Sequence, residues 1–345
     1  MSGALFTDQD GTVVVETDAR VCVRCVLPET FPEAGFDADG VCNYCRSEAE
    51  RIEGSQEAVD SVLAASRARG ADYDVVLLYS GGKDSSLSLI DLVANRGLRV
   101  LALTLDNGFL AEVTAANMRA VLDSVGADHI VLRPQRKLMH GVYRSALTGD
   151  FGPETVKYST AACGSCIGMV FAAGMRTASS YGVSLLAGGW TPGQMTTSAF
   201  VPTSFLREVV DRNLDPVRLT APELKDGLDT WTHDSGELPI GLVNPLYASD
   251  YSEAKTLSVL AEHGWQAPRD TDSCSTNCRL NGLLILDHLR KYGYHPYVYE
   301  MAHHVRLGAM TRDEALAKLR HTKVPTASVG PVAVELGIRS PLQTV

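Results

Sequence analysis

The sequence predicts an α/β protein in which a parallel sheet is covered by helices on both faces. Two observations predict this class: short apolar segments alternate with helical ones, and a glycine-rich loop stands at the end of the first apolar segment. The strand segments are "YDVVLLYS", "LRVLALTLDNG", "DHIVLRP" and "VSLLAGGW". Strands buried on both faces are continuously apolar, and their alternation with helices is typical of a parallel sheet.

The remaining elements follow in chain order. Residues 1 to about 20 read as an irregular or strand-like lead-in, residues 56 to 68 as a helix, and further helices are expected at 136–147 and from about Cys163. The proline-rich stretch 191–246 is expected to be irregular and to serve as a lid or substrate wall. "YSEAKTLSVLAEHG", "RLNGLLILDHLRKYG" and "TRDEALAKLRH" predict the last helices. We therefore expect a lead-in and cysteine ribbon (1–55), an α/β domain (56–246) and a helical C-terminal region (247–345).

Size and charge restrict the class of protein. The chain has 345 residues, 45% of them hydrophobic, which is enough for at least one full core. Its formal net charge of -10 disfavours unaided binding to long nucleic acid, although a basic patch for tRNA is not excluded. No apolar run approaches the roughly 18 residues of a membrane span, and the N-terminal residues do not resemble a secretory signal. We expect a cytoplasmic protein with no membrane partner.

The loop after the first strand of the sheet has the composition of a phosphate site. It reads "SGGKDSS" from Ser80 to Ser86. Gly81 and Gly82 leave room for close approach, Lys83 is a cation, and a helix starting near Asp84 offers the positive end of its dipole. The common phosphate loop G-x-x-x-x-G-K-[ST] is absent. A glycine-rich turn without a ligand is the alternative interpretation.

The S-G-G-K-D-S segment resembles the signature of the ATP pyrophosphatase (PP-loop) superfamily at every position. The resemblance implies the parallel five-stranded-type sheet of adenine nucleotide alpha hydrolase-like proteins. It also implies cleavage of ATP to AMP and pyrophosphate: an oxygen of the substrate is adenylated, and a nucleophile then displaces AMP. The residues that the resemblance assigns to pyrophosphate are Ser80, Gly81, Gly82, Lys83, Asp84, Ser85 and Ser86.

Other site residues follow from the same resemblance. Lys83 and Asp84 are expected to be catalytic, with Asp84 as a partner of Mg²⁺. Thr104 and Asp106, at the end of the second strand, are placed to meet adenosine, although Asp106 could equally cap a turn or helix. Gly188 and Gly189 end the fourth strand, where the ATP site of such a sheet should close.

The eight cysteines fall into four close pairs. In a reducing compartment, such pairs indicate metal or redox chemistry rather than a disulfide framework. The first two pairs are C-x-x-C knuckles that together offer four thiolates, which is typical of a closed structural zinc site. An iron–sulfur cluster and two separate dithiols are the alternatives. The predicted zinc ligands are Cys22, Cys25, Cys42 and Cys45.

The N-terminal text "CVRCVLPETFPEAGFDADGVCNYCR" resembles the N-acetyl sugar amidotransferases of surface-polysaccharide pathways. The likeness recurs in "KYGYHPYVYEMAHHVRLGAMTRDEALAKL", so it covers most of the chain. It implies ATP-dependent conversion of an N-acetyl group into an amidine, with ammonia from a partner glutaminase subunit. The segment "DTDSCSTNCRLN" departs from that family because it carries Cys274 and Cys278.

A C-x-x-C at Cys163 and Cys166 with a distant third cysteine resembles the tRNA 2-thiolation enzymes of the PP-loop superfamily. In those enzymes three thiolates hold a [4Fe–4S] cluster and leave one iron open for sulfide, and thiolates are the usual ligands of such clusters. The resemblance implies Cys163, Cys166 and Cys274 as catalytic ligands, with Cys278 as the alternative third. A persulfide and disulfide cycle on Cys163 and Cys166, a second zinc held by all four cysteines, and inert core thiols are the alternatives.

The function predicted from these features is an ATP-dependent sulfurtransferase that replaces a carbonyl or amide oxygen with sulfur. It requires ATP, Mg²⁺, Zn²⁺ and a [4Fe–4S] cluster, and a sulfur donor or carrier protein as a partner. A small-molecule acceptor is favoured and tRNA is the alternative. The second hypothesis is the amidotransferase with its glutaminase partner, and the third is a zinc-ribbon binding module that uses ATP as a switch. Many relatives of this fold pair up, so a homodimer is also considered.

Overall fold

A computed structural model describes residues 4–7, 13–16, 19–47, 55–191, 194, 198–233, 238–249 and 251–339. The described strands form a two-stranded antiparallel hairpin near the N-terminus and a six-stranded sheet. The strands are β1 (Ala4–Thr7), β2 (Val13–Glu16), β3 (Val75–Leu78), β4 (Val100–Leu105), β5 (Asp128–Leu132), β6 (Leu185–Ala187), β7 (Phe200–Val201) and β8 (Gly241–Val243).

The order of the large sheet is β5-β4-β3-β6-β8-β7. Its first five strands in this order run parallel, and only the two-residue strand β7 pairs antiparallel, at the edge beside β8. The predicted α/β class with a five-stranded parallel sheet is therefore confirmed, with one short strand added. Strand order reverses between β3 and β6, and ligands of open parallel sheets bind outside the carboxyl ends of the strands at such a reversal. The loop from Ser80 and the Gly188-Gly189 pair both lie at this point.

The helices cover both faces of the sheet and form the C-terminal region. They are α1 (Asn43–Arg46), α2 (Gln56–Arg67), α3 (Lys83–Ile90), α4 (Thr114–Val125), α5 (Arg136–Thr148), α6 (Pro153–Val156), α7 (Ala161–Ser180), α8 (Thr203–Thr220), α9 (Lys225–Thr232), α10 (Glu253–Glu262), α11 (Asn281–Tyr292), α12 (Val298–Arg306), α13 (Arg312–Arg320) and α14 (Thr326–Leu336). Short 3₁₀ turns at Pro222–Leu224 and Pro245–Ala248, and a π turn at Asp91–Asn95, complete them.

Two apolar cores lie on opposite faces of the sheet because alternate strand residues point to opposite sides. Leu78 and Leu103 belong to the core that includes α5, α7 and α8, whereas Leu77 and Ala102 belong to the core that includes α2, α4 and α10. Helix α7 is long and apolar enough, by length and composition alone, to cross a membrane. Some 72% of its apolar window is buried inside the protein, as expected of a core helix.

The stretch 191–246 differs from the prediction of an irregular segment. In its described part it contains the helices α8 and α9 and the strands β7 and β8. Leu206, Val210 and Leu214 recur at helical spacing on α8 and are buried in the core shared with α7. Pro202 occupies the N-cap position of α8 and Pro222 starts a 3₁₀ turn, whereas Pro216 lies inside α8. The density of prolines therefore did not indicate a loop.

The cysteine ribbon packs against the C-terminal helices. Its Leu27 and Phe31 share a core with Tyr294 of the loop after α11 and Tyr299 of α12, and the rings of Phe31 and Tyr299 stack at 5.8 Å. The guanidinium of Arg312 at the start of α13 donates hydrogen bonds to the carbonyls of the first knuckle. The ribbon and the C-terminal helices therefore form one packed unit, whereas the division of the chain at residues 55 and 246 stays a prediction.

Candidate functional site

The glycine-rich loop turns the chain from β3 directly into α3. Gly81 has a φ of 72°, and a Cβ atom there would lie 2.7 Å from a side-chain atom of Met118, so both conformation and space require glycine. Its carbonyl accepts a hydrogen bond from the indole of Trp265 at 3.0 Å. The hydroxyls of Ser80 and Ser85 lie 3.0 Å apart across the turn. The loop is thus held tightly at the carboxyl end of β3.

A partly buried ion pair stands at the first turn of α3. The ammonium of Lys83 donates to both carboxylate oxygens of Asp84, at 2.9 and 2.8 Å, and to the hydroxyl of Tyr251 at 3.0 Å. Tyr251 in turn donates to Asp84 at 2.6 Å. Burial alone lowers the pKa of Lys83, but the neighbouring Asp84 carboxylate outweighs burial and raises it, so the lysine stays a cation.

A cavity of about 380 Å³ opens above this loop. Ser80, Gly82, Lys83, Asp84 and Ser85 line one end, and the four cysteines of the second set line the same cavity, together with Gly189. A Cβ on Gly189 would lie 2.5 Å from the backbone of Ser85, so this glycine is required for the loop and β6 to approach each other. The volume lies in the range of pockets for small molecules and cofactors.

Five of the predicted nucleotide residues do not lie on the wall of this cavity in the described part of the chain: Gly81, Ser86, Thr104, Asp106 and Gly188. Thr104 donates to the carbonyl of Tyr79 at 2.6 Å, and Asp106 accepts from the guanidinium of Arg133 and from the backbone N–H of Gly108. Ser86 is fully buried. Their contact with nucleotide stays a prediction.

Cys163 and Cys166 lie in the first turns of α7, on one face of the helix. Thr160 caps α7 by accepting a hydrogen bond from the backbone N–H of Cys163 at 3.1 Å. The thiol of Cys163 donates to the amide oxygen of Asn281 at 3.6 Å. A helix N-terminus favours negative charge, so this position suits thiolates.

Cys278, the predicted alternative to Cys274, shares a hydrogen-bond donor with Cys166. The amide nitrogen of Asn107 donates to the Cys278 sulfur at 3.6 Å and to the Cys166 sulfur at 4.0 Å. Burial, together with the nearby Cys278 and Cys166 thiols, raises the pKa of the Cys163 thiol to about 12. Burial raises the pKa of Cys274, and Asp272 and Glu300 add to this effect, although Asp272 also acts on Cys163 and Cys278. The structure therefore groups Cys163, Cys166 and Cys278, which we call the cysteine trio.

The second set of cysteines does not form a site for one metal ion as it stands. Among the described residues, the N-terminal ribbon is the one group of three or more histidine, cysteine or acidic ligand atoms that lie within 4.8 Å of one another. All eight cysteines are free thiols. Burial raises the pKa of Cys278 to about 11, so the trio is neutral unless a cation compensates it. This spacing disfavours a second zinc ion held by all four cysteines.

The segment between Cys274 and Cys278 lies directly on the glycine-rich loop. The hydroxyl of Thr276 accepts a hydrogen bond from the backbone N–H of Lys83 at 3.0 Å, and the amide of Asn277 donates to the carbonyl of Ser80 at 3.3 Å. The same segment therefore contacts the predicted phosphate site and carries a member of the cysteine trio.

Four residues of the site were not identified from the sequence: Asn107, Tyr143, Tyr251 and Glu300. Asn107 follows β4 at the carboxyl edge of the sheet, a position that could have marked it. Tyr143 looks like a core residue of α5, and Tyr251 and Glu300 carry no local signal. Glu300 accepts from Gln194 at 3.0 Å and lines the cavity, and burial raises its pKa to about 7.

The N-terminal ribbon brings its four thiols together as predicted, and they form a group that can hold a metal ion. The sulfurs of Cys25 and Cys42 lie 3.7 Å apart, and those of Cys22 and Cys45 lie 3.9 Å apart. Tetrahedral zinc with Zn–S bonds of about 2.3 Å separates its sulfurs by about 3.8 Å. A cluster of four irons would hold its thiolates further apart, so this geometry fits one ion.

No model of a protein family matches the chain. An uncharacterized protein of Methanocaldococcus jannaschii is 21% identical over 308 residues, which cover 88% of this chain and 94% of the other. Among solved structures, the tRNA thiolase NcsA from Methanococcus maripaludis with its [4Fe–4S] cluster is similar over 85% of this chain and 87% of its own, with 16% identity and a TM-score of 0.36. A predicted subunit of a tRNA methyltransferase from Methanocaldococcus jannaschii is similar over 65% and 91%, with 16% identity and a TM-score of 0.31. These likenesses are distant, so the residues of the cavity have to carry the functional proposal.

Proposed function

We propose that this protein is an ATP-dependent sulfurtransferase that adenylates a carbonyl or amide oxygen and replaces it with sulfur. The single observation that carries the proposal is that one cavity joins the glycine-rich loop to the cysteine trio. Activation and displacement act on the same carbon, so both sets of groups must reach one substrate. Neither a nucleotide switch nor a set of inert thiols would require this arrangement.

In the first half-reaction, the acceptor oxygen attacks the α-phosphorus of ATP, the α–β bond breaks, and pyrophosphate leaves. The backbone N–H groups at the start of α3 and the Lys83 ammonium stabilise the phosphate charge. Phosphate oxygens compete with Asp84 for Lys83, which frees the Asp84 carboxylate for Mg²⁺. The half-buried Glu300 is a second carboxylate at the same end of the cavity.

In the second half-reaction, hydrosulfide adds to the activated carbon and AMP leaves with the original oxygen. The sulfur supplies both electrons of the new carbon–sulfur bond, and AMP takes the electron pair of the broken carbon–oxygen bond. The proton of the hydrosulfide passes to solvent, and no net oxidation occurs. We propose that the cysteine trio is the sulfur site, with Cys278 as the third ligand of a [4Fe–4S] cluster in place of Cys274. Such a cluster, when bound, leaves one iron without a protein ligand and would carry the sulfur to be transferred.

Thiolates are the preferred ligands of such clusters, and the residues of the trio fit this role. Asn107 donates to two of the three sulfurs, which would disperse thiolate charge. Cys274 lies within electrostatic reach of Glu300 and takes no part in this scheme. The ribbon is a structural zinc site because its four thiols leave no open position.

We propose a small-molecule acceptor. The cavity must hold ATP as well as the acceptor, and its volume suits compact ligands. The net charge of -10 also disfavours a polyanionic partner. A tRNA acceptor and an ammonia-dependent amidotransfer share the same first half-reaction, so product analysis distinguishes them.

The test begins with anaerobic purification followed by zinc, iron and sulfide analysis. We expect one zinc and about four irons and four inorganic sulfides per chain. The protein is then incubated with Mg-ATP, sulfide and pools of carbonyl metabolites, with tRNA and with ammonium as parallel arms. AMP, pyrophosphate and a thiocarbonyl product in the metabolite arm are expected. Products of ADP and orthophosphate alone, or an amidine from ammonium in an iron-free protein, would contradict the proposal.

A further inference from the structure

Tyr143 is a buried tyrosine whose hydroxyl makes no hydrogen bond of normal geometry among the described residues. It lies on α5, its side chain is 0% exposed, and its ring packs edge-on against Phe109 at 5.8 Å. Its hydroxyl makes no hydrogen bond of normal geometry with any described residue, and the polar group next to it is the Cys166 thiol. The residue nevertheless lines the cavity and lies beside the thiol of Cys166, within electrostatic reach of the other two thiols of the trio.

An unpaired buried hydroxyl is costly. Leaving a buried donor without an acceptor costs about 1–3 kcal/mol, and phenylalanine would fill the same apolar space without this cost. Buried tyrosine hydroxyls usually find a partner for this reason. The other tyrosine of comparable burial on this side, Tyr294, follows the rule, since its hydroxyl donates to the carbonyl of Val156 at 3.4 Å. The partner of Tyr143 is therefore to be sought in what the cavity binds.

We propose that Tyr143 is a positioning residue of the sulfur site, whose hydroxyl donates a hydrogen bond to sulfur at the Cys166 side of the cysteine trio. The acceptor is the Cys166 thiolate or a sulfide bound next to it. This inference rests on the proposed function, because neutral thiols are weak acceptors and a metal-bound sulfur is a strong one. Together with the Asn107 amide, the hydroxyl gives the trio two uncharged donors from two different elements.

A hydrogen bond from Tyr143 to sulfur would affect the reduction potential of the iron-loaded protein, whereas a tyrosine that only fills space would not. Hydrogen bonds to the sulfurs of an iron–sulfur cluster are one of the factors that set its reduction potential. A hydrogen-bond donor stabilises the reduced cluster, which carries more negative charge, and therefore raises its reduction potential. The Tyr143→Phe substitution keeps the ring and removes only the donor, so it should lower the potential while iron content stays at the wild-type level.

The experiment compares wild type, Tyr143→Phe and the matched control Tyr294→Phe, each reconstituted anaerobically with iron and sulfide. Iron content, redox titration and the Fe–S stretching frequencies by resonance Raman are measured on each. We expect a more negative midpoint potential and upshifted Fe–S frequencies in Tyr143→Phe, and neither change in Tyr294→Phe. A roughly tenfold slower single-turnover sulfur transfer should accompany the shift, as the loss of one bond to a charged group predicts.

A second measurement uses exchange into D₂O, which should shift the Fe–S frequencies of the wild type, and Tyr143→Phe should lose part of that shift. If Tyr143→Phe fails to take up iron, Asn107→Ala replaces it, because it removes the other donor to these sulfurs. A D₂O shift that persists in loaded Asn107→Ala supports the Tyr143 hydroxyl as a donor, and its complete loss overturns the inference. If the iron-loaded wild type and the iron-loaded Tyr143→Phe variant have the same midpoint potential and the same Fe–S stretching frequencies, this inference is wrong. The proposed function is not affected by that result. A wild type that binds no iron overturns the cluster, and this inference with it.

Discussion

Thr276 provides the sharpest test of how the nucleotide binds. Its hydroxyl accepts the backbone N–H of Lys83 at 3.0 Å, which is one of the donors that a phosphate of ATP requires. Thr276 and the nucleotide therefore compete for the same donor, and the threonine bond must break before the phosphate is bound. Thr276→Val keeps the shape of the side chain and removes the competing acceptor.

The magnitude follows from that one bond. A hydrogen bond of this kind contributes about 0.5–1.5 kcal/mol net, so its removal should tighten ATP binding about 2- to 12-fold. Isothermal titration calorimetry with Mg²⁺ and a non-hydrolysable ATP analogue measures the effect. Ser275→Ala is the matched control, because the Ser275 hydroxyl donates to Asn277 rather than touching the glycine-rich loop. Weaker binding by Thr276→Val would mean that Thr276 contacts the nucleotide, and competition would then be refuted.

Four further predictions concern the two metal sites, the loop and the cavity. Cys278→Ser should lose most of the bound iron whereas Cys274→Ser should keep it; the reverse pattern in iron analysis would place Cys274 in the trio. Lys83→Ala should reduce acceptor-dependent pyrophosphate release by at least a hundredfold, because it removes the cation that stabilises phosphate charge in the first half-reaction. Release at the wild-type rate would mean that ATP binds elsewhere. Arg312→Ala removes the hydrogen-bond donor to the carbonyls of the first knuckle and should destabilise the ribbon by about 2 kcal/mol. The rate of zinc loss to a chelator measures this effect, and zinc should leave Arg312→Ala faster than Arg312→Lys. Burial raises the pKa of Glu300 in the folded protein to about 7, against an ordinary value of 4.5. Between these pH values the folded state holds a proton that the unfolded chain has released, so the free energy of unfolding falls as the pH rises. Glu300→Gln should therefore raise the thermal unfolding midpoint at pH 8 and change it little at pH 4.5, and an equal effect at both would refute the assignment.

Elements with a strong local signal were predicted correctly. The apolar runs of β3 and β4 are buried at every position, and the helix predicted from "TRDEALAKLRH" is α13, which begins with a reciprocal cap of Thr311 and Glu314. The four ribbon thiols converge because two C-x-x-C turns each bring a pair together locally. Helix α8 was missed because prolines at its ends outweighed the periodic apolar residues between them.

The linear order of residues was sufficient for the α/β class, the glycine-rich loop after a strand and the pairing of cysteines within each knuckle, since these depend on backbone preferences and on contacts between neighbours in the chain. It could not show that one amide, that of Asn107, donates to both Cys166 and Cys278. Nor could it show that Thr276 covers the N–H of Lys83 or that the buried Tyr143 hydroxyl lies next to Cys166. Those contacts join segments that are distant in the chain. They depend on how α5, α7 and the segment before α11 pack around one end of the sheet, and only the tertiary structure determines that packing.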